Sequence, residues 1–247
     1  MDESLIAETI KIEGHGGDEI EAYLARPARE NSYGGVVVIH HMPGYDSGMK
    51  EITRKFAAHG YAALMPNLYY REAPGASPDD AAATARASGG VPDERLVGDA
   101  AGAAKHLRGL PGSNGKVGVI GYCSGGRQSF LAACSQIGLD AAVDCYGGAV
   151  VRAPQGAPAS FKPLIGMSEQ LSCPLLGLFG ADDQFPTPEE TAELSERLSE
   201  FGKEHEFHTF PGAGHAFFSA DRVSYRVEAA NEGWAKVWDF YGRHLAG

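Results

Sequence analysis

The sequence predicts an α/β fold, in which a mostly parallel, doubly wound sheet is covered by helices on both faces. Short apolar runs such as residues 36–39 are continuous rather than alternating, which is typical of strands buried on both faces. These runs alternate along the chain with segments whose apolar residues recur at helical spacing. No linker interrupts the pattern, so we expect a single domain over residues 1–247.

The first half of the chain is predicted to open with an antiparallel pair, because two segments alternate in polarity. These segments are residues 6–12 and 20–24. A buried strand, a helix that ends at a glycine and a strand stopped by a proline come next. Their bounds are 36–39, 48–59 and 61–65. A Pro- and Gly-rich surface excursion follows over residues 67–90, with one short helix at 78–87. The next helix is expected at 92–108, with proline in its first turn.

The second half is predicted to alternate four strands with three helices. The strands are expected at 116–120, 141–145, 175–179 and 205–210. The helices are expected at 124–134, 188–201 and 223–245, and the last of them carries Trp234 and Trp238 on one face. Ligands of doubly wound sheets bind beyond the carboxyl ends of the strands. The residues that directly follow each strand are therefore the candidates for function.

Charge and cysteine usage restrict the partners of the protein. A formal net charge of -11 argues against nucleic acid and against anionic membranes. The four cysteines form no CxxC pair and no zinc-like spacing with histidine, so we expect no metal site, no cofactor and a reduced, cytoplasmic compartment. The first residues, 1–4, show neither a basic nor an apolar region of a leader, and no apolar run is long enough to span a membrane.

The strongest motif is the Gly121-Tyr122-Cys123-Ser124-Gly125 sequence, which directly follows the predicted strand 116–120. It matches the nucleophile elbow of the α/β-hydrolase fold, where a strand, a sharp turn and a helix expose the central side chain. Cys123 is the central residue and the predicted nucleophile. Ser124 is off-centre, so its N–H is predicted to stabilise an oxyanion. The alternative is a Gly-rich turn around a buried thiol, which the strand–turn–helix context disfavours.

A base and an acid follow the nucleophile in the chain order of α/β-hydrolases. His215 lies in the glycine-rich loop after strand 205–210, an exposed mount suited to a catalytic base. Asp182 and Asp183 follow strand 175–179, and either carboxylate could orient the imidazole. Asp144, at the end of the preceding strand, is a weaker alternative.

The loop after strand 36–39 begins His40-His41-Met42 and is predicted to supply the second oxyanion donor. The Met42 N–H is the expected donor. The two adjacent histidines could also indicate a metal, but no carboxylate or cysteine stands at a helpful spacing beside them. Metal binding is therefore the minor interpretation of this loop.

Together these motifs resemble the dienelactone hydrolases, also called carboxymethylenebutenolidases, over residues 10–241. The similar stretches are Gly60–Ala63, Asn67–Gly75, Gly121–Gly126, Gly180–Phe185 and Gly214–Phe217. The resemblance implies that Cys123 is the nucleophile, that Asp183 rather than Asp182 is the acid, and that His215 is the base. It also implies an enzyme that cleaves a small ester or enol-lactone substrate through a thioester.

The same resemblance indicates where substrate is contacted. The expected contacts are His41, Tyr69, Arg86 (or alternatively Arg95), Tyr146 and Phe217. His41 stands where relatives from the chlorocatechol pathway have a glutamate. The stretch Phe217–Ser219 stands where those relatives have an arginine for the lactone carboxylate. Esters or lactones without a carboxylate are therefore expected substrates too. The alternatives are a thioesterase or small-acyl esterase on the same triad, a ligand-binding relative without turnover, and a redox-active thiol.

Overall fold

The computed structural model describes residues 4–28, 32–157 and 161–246. They form two compact units. The first contains the described residues up to Val119 together with 245 and 246, and the second contains Ile120–His244. The predicted single domain over 1–247 remains a prediction. The predicted absence of a leader rests partly on residues 1–3, which lie outside the described residues.

The first unit contains an antiparallel opening pair and a short parallel section, as predicted. Its strands are β1 (Leu5–Glu13), β2 (Glu19–Pro27), β3 (Tyr33–Ile39), β4 (Ala62–Pro66) and the start of β5 (Ser113–Tyr122). They are ordered β1-β2-β4-β3-β5. The β1–β2 and β2–β4 pairs are antiparallel, and the β3–β4 pair is parallel. All residues of β3 are buried, which confirms the strand expected from the continuous apolar run.

Three helices belong to this unit: α1 (Ser47–Ala58), α2 (Pro78–Ala87) and α3 (Asp93–Arg108). The Asp46 side chain caps α1 by accepting the Met49 N–H at 2.9 Å, and Ser77 caps α2 in the same way through the Asp80 N–H. Pro92 is the residue before the first turn of α3, so that helix begins one residue later than predicted. α1 packs on β2 and β4, and α3 packs on β3 and β4.

Strand β5 enters the second unit at Ile120, and the order continues β5-β6-β7-β8, with β6 at Ala141–Cys145, β7 at Leu175–Gly180 and β8 at His205–Phe210. In the second unit the β6–β7 and β7–β8 pairs are parallel. The helices are α4 (Ser124–Cys134), α5 (Pro188–Glu200) and α6 (Val227–His244). The predicted α/β class with a mostly parallel sheet and helices is confirmed.

Helix α6 starts at Val227, four residues later than the sequence predicts. The backbone N–H of Arg226 donates to Phe217 O at 3.2 Å, so the chain before the helix is tied to the loop that follows β8. The stacked rings of Trp234 and Trp238, 5.0 Å apart, confirm that both lie on one face of the helix. No helix among the described residues is long and apolar enough to cross a membrane.

A buried ion pair stabilises the first unit. The two terminal guanidinium nitrogens of Arg71 donate to the Asp99 carboxylate on α3, at 2.8 and 2.9 Å, and the His15 N–H donates to the same carboxylate at 2.8 Å. Asp99 is fully buried, whereas Asp18, the second partner of Arg71, is exposed. The chain that follows β4 is thereby fastened to α3.

We expect the Asp99→Ala substitution to lower the free energy of unfolding by about 3 kcal/mol, because it leaves a largely buried guanidinium without its main partner. Urea denaturation followed by circular dichroism measures the change. The matched control is Lys105→Ala, which breaks the exposed pair of Lys105 with Glu13 and should cost less than about 1 kcal/mol. Equal losses in the two variants would contradict the assigned role of Asp99.

Candidate active site

Cys123 lies at a sharp turn between β5 and α4. Its backbone has φ 58° and ψ -120°, a left-handed conformation that is strained for a residue with a side chain. A Cβ atom at Gly121 would lie 1.8 Å from Gly125 O, so only glycine permits this close turn. The Cys123 N–H donates to Cys145 O at 3.0 Å, and Cys123 O accepts the Gly126 N–H at 2.9 Å. The turn therefore holds a partly exposed thiol at the beginning of a helix.

His215 and Asp183 form the second part of the site. The imidazole Nδ1 lies 2.9 Å from Asp183 Oδ2. Because an ionised carboxylate can only accept, Nδ1 carries the proton. Asp183 Oδ1 accepts the Phe185 N–H at 2.9 Å, and the side chain is only 2% exposed. Asp182 is exposed, so of the two adjacent aspartates only Asp183 meets the histidine.

The charge of His215 depends on the groups around it. Burial by itself lowers the pKa of His215, but hydrogen bonds with Asp183 and with the Cys123 thiol outweigh burial and raise it from 6.5 to about 10. These hydrogen bonds favour the imidazolium form of His215. A positive charge beside a sulfur stabilises its thiolate form. In the second unit, a thiol, an imidazole and a carboxylate thus lie in one hydrogen-bonded series.

An aromatic cluster supports the histidine. The Tyr146 ring meets the His215 ring edge to face, with the centroids 5.2 Å apart, and Phe217 packs against Tyr146 at 5.4 Å. Phe217 is fully buried between Tyr146, Phe210 and Phe218, and Tyr146 is 1% exposed. In this conformation both side chains support the His215 loop, and their predicted contact with substrate stays a prediction.

The other predicted contacts lie in the first unit. His41 Nε2 pairs with Asp46 Oδ2 at 2.6 Å, so one carboxylate both caps α1 and orients a buried histidine. Tyr69 donates its hydroxyl to Met42 O at 2.9 Å, and Met42 is 43% exposed. Arg86 is exposed in the last turn of α2. The substrate roles of His41, Tyr69 and Arg86 and the oxyanion role of Met42 stay predictions.

His40 is a structural residue. Its Nε2 accepts the Leu68 N–H at 3.3 Å, so Nδ1 carries the proton and donates to His41 O at 2.8 Å. Burial lowers the pKa of His40 to about 4, which keeps the ring neutral. No group of three or more His, Cys, Asp or Glu residues within 4–28, 32–157 and 161–246 could hold a metal ion.

Three contacts of the predicted site residues, in one unit or the other, were not expected from the sequence. One is the Asp46 partner of His41, five residues along the chain; its only sequence signal is an aspartate at the N-cap of a helix. Another is the Phe185 N–H that fixes Asp183; its sequence signal is an aspartate placed two residues before the donor, as in an Asx-turn. The last is the Arg95 ion pair with Glu72 at 2.5 Å, which neutralises the arginine named as the alternative to Arg86.

Comparisons with known proteins identify the family of this chain. The model of the family described as "Dienelactone hydrolase family" matches residues 20–245. A protein of Synechocystis sp. with the provisional name carboxymethylenebutenolidase is 29% identical over 232 residues, which are 92% of this chain and 93% of that protein. A Yersinia pestis protein with the same provisional name is 31% identical over 234 residues, covering 92% and 85% of the two chains. The crystal structure of a provisionally named dienelactone hydrolase from Klebsiella pneumoniae subsp. pneumoniae is 27% identical, with a TM-score of 0.87 over 98% of this chain and 100% of that chain.

Proposed function

The chain belongs to the dienelactone hydrolase family and is a hydrolase of esters or lactones, and we propose that it uses Cys123 as a covalent nucleophile. One observation carries the proposal: the imidazole of His215 hydrogen-bonds both the Cys123 thiol and the Asp183 carboxylate. A nucleophile joined to a base, which is in turn oriented by a carboxylate, is the arrangement that activates weak nucleophiles.

In the first step the Cys123 thiolate attacks the carbonyl carbon of the substrate. A carbon–sulfur bond forms, and the carbonyl oxygen becomes an oxyanion. The Ser124 N–H, at the first residue of α4, is the proposed donor to this oxyanion, and the Met42 N–H is the proposed second donor. The carbon–oxygen bond to the leaving group then breaks. The leaving alkoxide or enolate takes the proton of the His215 imidazolium, and a thioester remains on the enzyme.

Hydrolysis of the thioester reverses the role of His215. Acylation removes the thiolate charge and the thiol hydrogen bond, both of which raise the pKa of His215 in the free enzyme. The neutral imidazole can then take a proton from water while the water oxygen attacks the thioester carbon. The acid product leaves, and its departure restores the thiolate and the imidazolium.

The mechanism predicts that the acyl group can be trapped on Cys123. Protein mixed with p-nitrophenyl acetate and quenched with acid during the first turnovers should carry one acetyl group on the peptide that contains Cys123, as detected by mass spectrometry. The His215→Ala variant, incubated with the ester for longer, should retain any acetyl group it gains, because it lacks the base for hydrolysis. Acetylation of Ser124, or of no residue in the active protein, would contradict a cysteine nucleophile.

A substrate panel distinguishes the proposed ester or enol-lactone hydrolysis from the thioesterase alternative. We expect kcat/KM for a dienelactone or a small aryl ester to exceed that for acyl thioesters of the same acyl group. Higher kcat/KM for the thioesters would favour the thioesterase function. Tight binding of all three classes without product would instead indicate a ligand-binding relative.

A further inference from the structure

Asp144, the fourth residue of β6, is a buried carboxyl group that the proposed mechanism does not use. It is 1% exposed, and its Oδ1 accepts the Gly147 N–H at 2.8 Å. This hydrogen bond closes the segment of residues 144–147, which we call the 144–147 turn. The sequence left Asp144 as a weaker alternative for the carboxylate that orients His215. In the structure the partner of His215 is Asp183.

The same oxygen packs directly against the start of α4. A Cβ atom at Gly126 would lie 2.3 Å from Asp144 Oδ1, and one at Gly147 would lie 2.4 Å from it. The absence of a Cβ atom at two glycines on different segments therefore leaves room for one carboxyl oxygen. This close approach fixes the distance between the 144–147 turn and the helix that begins beside Cys123.

The buried surroundings of the Asp144 carboxyl group favour its neutral form. Asp144 Oδ2 is buried and has no hydrogen-bond partner among the described residues. Burial raises the pKa of Asp144 to about 7, against the lowering effect of the bond from the Gly147 N–H. A neutral carboxyl still offers Oδ1 as an acceptor and leaves no uncompensated charge in the core. An asparagine amide can offer the same acceptor at this position.

The 144–147 turn contacts both members of the thiol–imidazole pair. Cys145 O accepts the Cys123 N–H, and the Tyr146 ring lies against the His215 ring. Tyr146 has a φ of 45°, a left-handed conformation that an aromatic residue adopts only when its surroundings impose it. The bond between Asp144 and Gly147 closes the turn around this strained residue.

We propose that Asp144 is a positioning residue for the catalytic pair. By accepting the Gly147 N–H, it holds the turn whose carbonyl anchors Cys123 and whose aromatic ring supports His215. The inference rests on the proposed function, since it concerns the geometry of the same nucleophile and base. It assigns no chemical step to Asp144 itself.

The test compares Asp144→Ala with Asp144→Asn. Loss of the acceptor should lower kcat for p-nitrophenyl acetate by on the order of 10²-fold, because small displacements of reacting groups have large effects on rate. KM should change by less than about threefold, since the Asp144 side chain is buried and is not itself a predicted substrate contact. The asparagine variant keeps an acceptor oxygen and should recover kcat to within about threefold of the original protein. Rescue by the amide is a result that a requirement for a negative charge would not give.

The matched control is Ser129→Ala. Ser129 is fully buried on α4, and its hydroxyl hydrogen-bonds Gly126 O and Val143 O, so it ties the helix to β6 without bonding to the 144–147 turn. This variant should lose thermal stability while it keeps kcat. If Asp144→Ala does not fold, Asp144→Val fills the same space without offering an acceptor and takes its place.

A substrate-independent readout separates this inference from the proposed function. The rate at which iodoacetamide alkylates Cys123, followed by mass spectrometry, should fall in Asp144→Ala and recover in Asp144→Asn. If Cys123→Ala keeps esterase activity, the proposed function fails. The alkylation rates then still test whether Asp144 positions Cys123. Alkylation and kcat unchanged in Asp144→Ala, or an Asp144→Asn variant as impaired as the alanine variant, would overturn the inference.

Discussion

The Cys123→Ala variant is expected to lose hydrolysis of p-nitrophenyl acetate, with kcat/KM lower by on the order of 10⁴-fold or more. The substitution removes only the sulfur. Alanine keeps the Cβ atom, and therefore the same strained backbone with φ 58°, so the turn between β5 and α4 should persist. Without the sulfur no thioester can form, and the remaining rate comes from the oxyanion donors and binding alone.

Initial rates of p-nitrophenolate release, corrected for the uncatalysed reaction, measure this loss. The matched control is Cys173→Ala, which removes another partly exposed thiol and should keep full activity. The melting temperature of both variants should stay close to that of the original protein. A Cys123→Ala variant with more than about one tenth of the original kcat/KM would contradict the nucleophile assignment.

The Asp183→Asn variant is expected to lower kcat by on the order of 10⁴-fold although it is nearly isosteric. The Phe185 N–H donates to Oδ1 at 2.9 Å, so the amide oxygen must occupy that position. The amide NH₂ then faces His215 Nδ1, which can only accept from it. The neutral imidazole then carries its proton on the other nitrogen, so the ring can neither take a proton from water nor form the imidazolium that stabilises the thiolate.

The same variant should change the ionisation of His215. Asp183 contributes to raising the pKa of His215 to about 10, so its removal should let the imidazolium lose its proton at a lower pH. Titration of the His215 ring by NMR measures this shift alongside kcat. Asp182→Asn removes the exposed neighbouring carboxylate and is the control, with kcat unchanged. An Asp183→Asn variant with the original kcat would show that another group orients the histidine.

Much of the fold followed from local patterns in the sequence. The buried run 36–39 and the alternating opening segments correspond to β3 and to the β1–β2 pair, because burial on both faces leaves a continuous apolar run and burial on one face leaves an alternating one. The late start of α6 was missed because residues 223–226 are held by a bond from the Arg226 N–H to Phe217 O. Such a contact between distant loop residues leaves no periodicity.

The site was predictable in part for a similar reason. Sequence motifs placed Cys123, Asp183 and His215 after strand ends, and the fold brings them into hydrogen-bonded contact. Burial was less predictable: Phe217 sits two residues after the histidine and was expected beside substrate, yet rings from β8 and from the segment after β6 enclose it. Whether a loop aromatic faces solvent or core depends on tertiary packing that neighbours in sequence do not encode.

The anchored backbone of Cys123 limits how the sulfur can move. Its N–H and its carbonyl are both hydrogen-bonded, to Cys145 and Gly126, so χ1 is the one soft torsion that remains for the thiol. In the proposed mechanism, the configurational entropy of the attacking sulfur is therefore lost once, when the chain folds, and not again in each catalytic cycle. An incoming carbonyl meets a sulfur confined to a few rotamers, and the ordering demanded at the transition state falls mainly on the substrate.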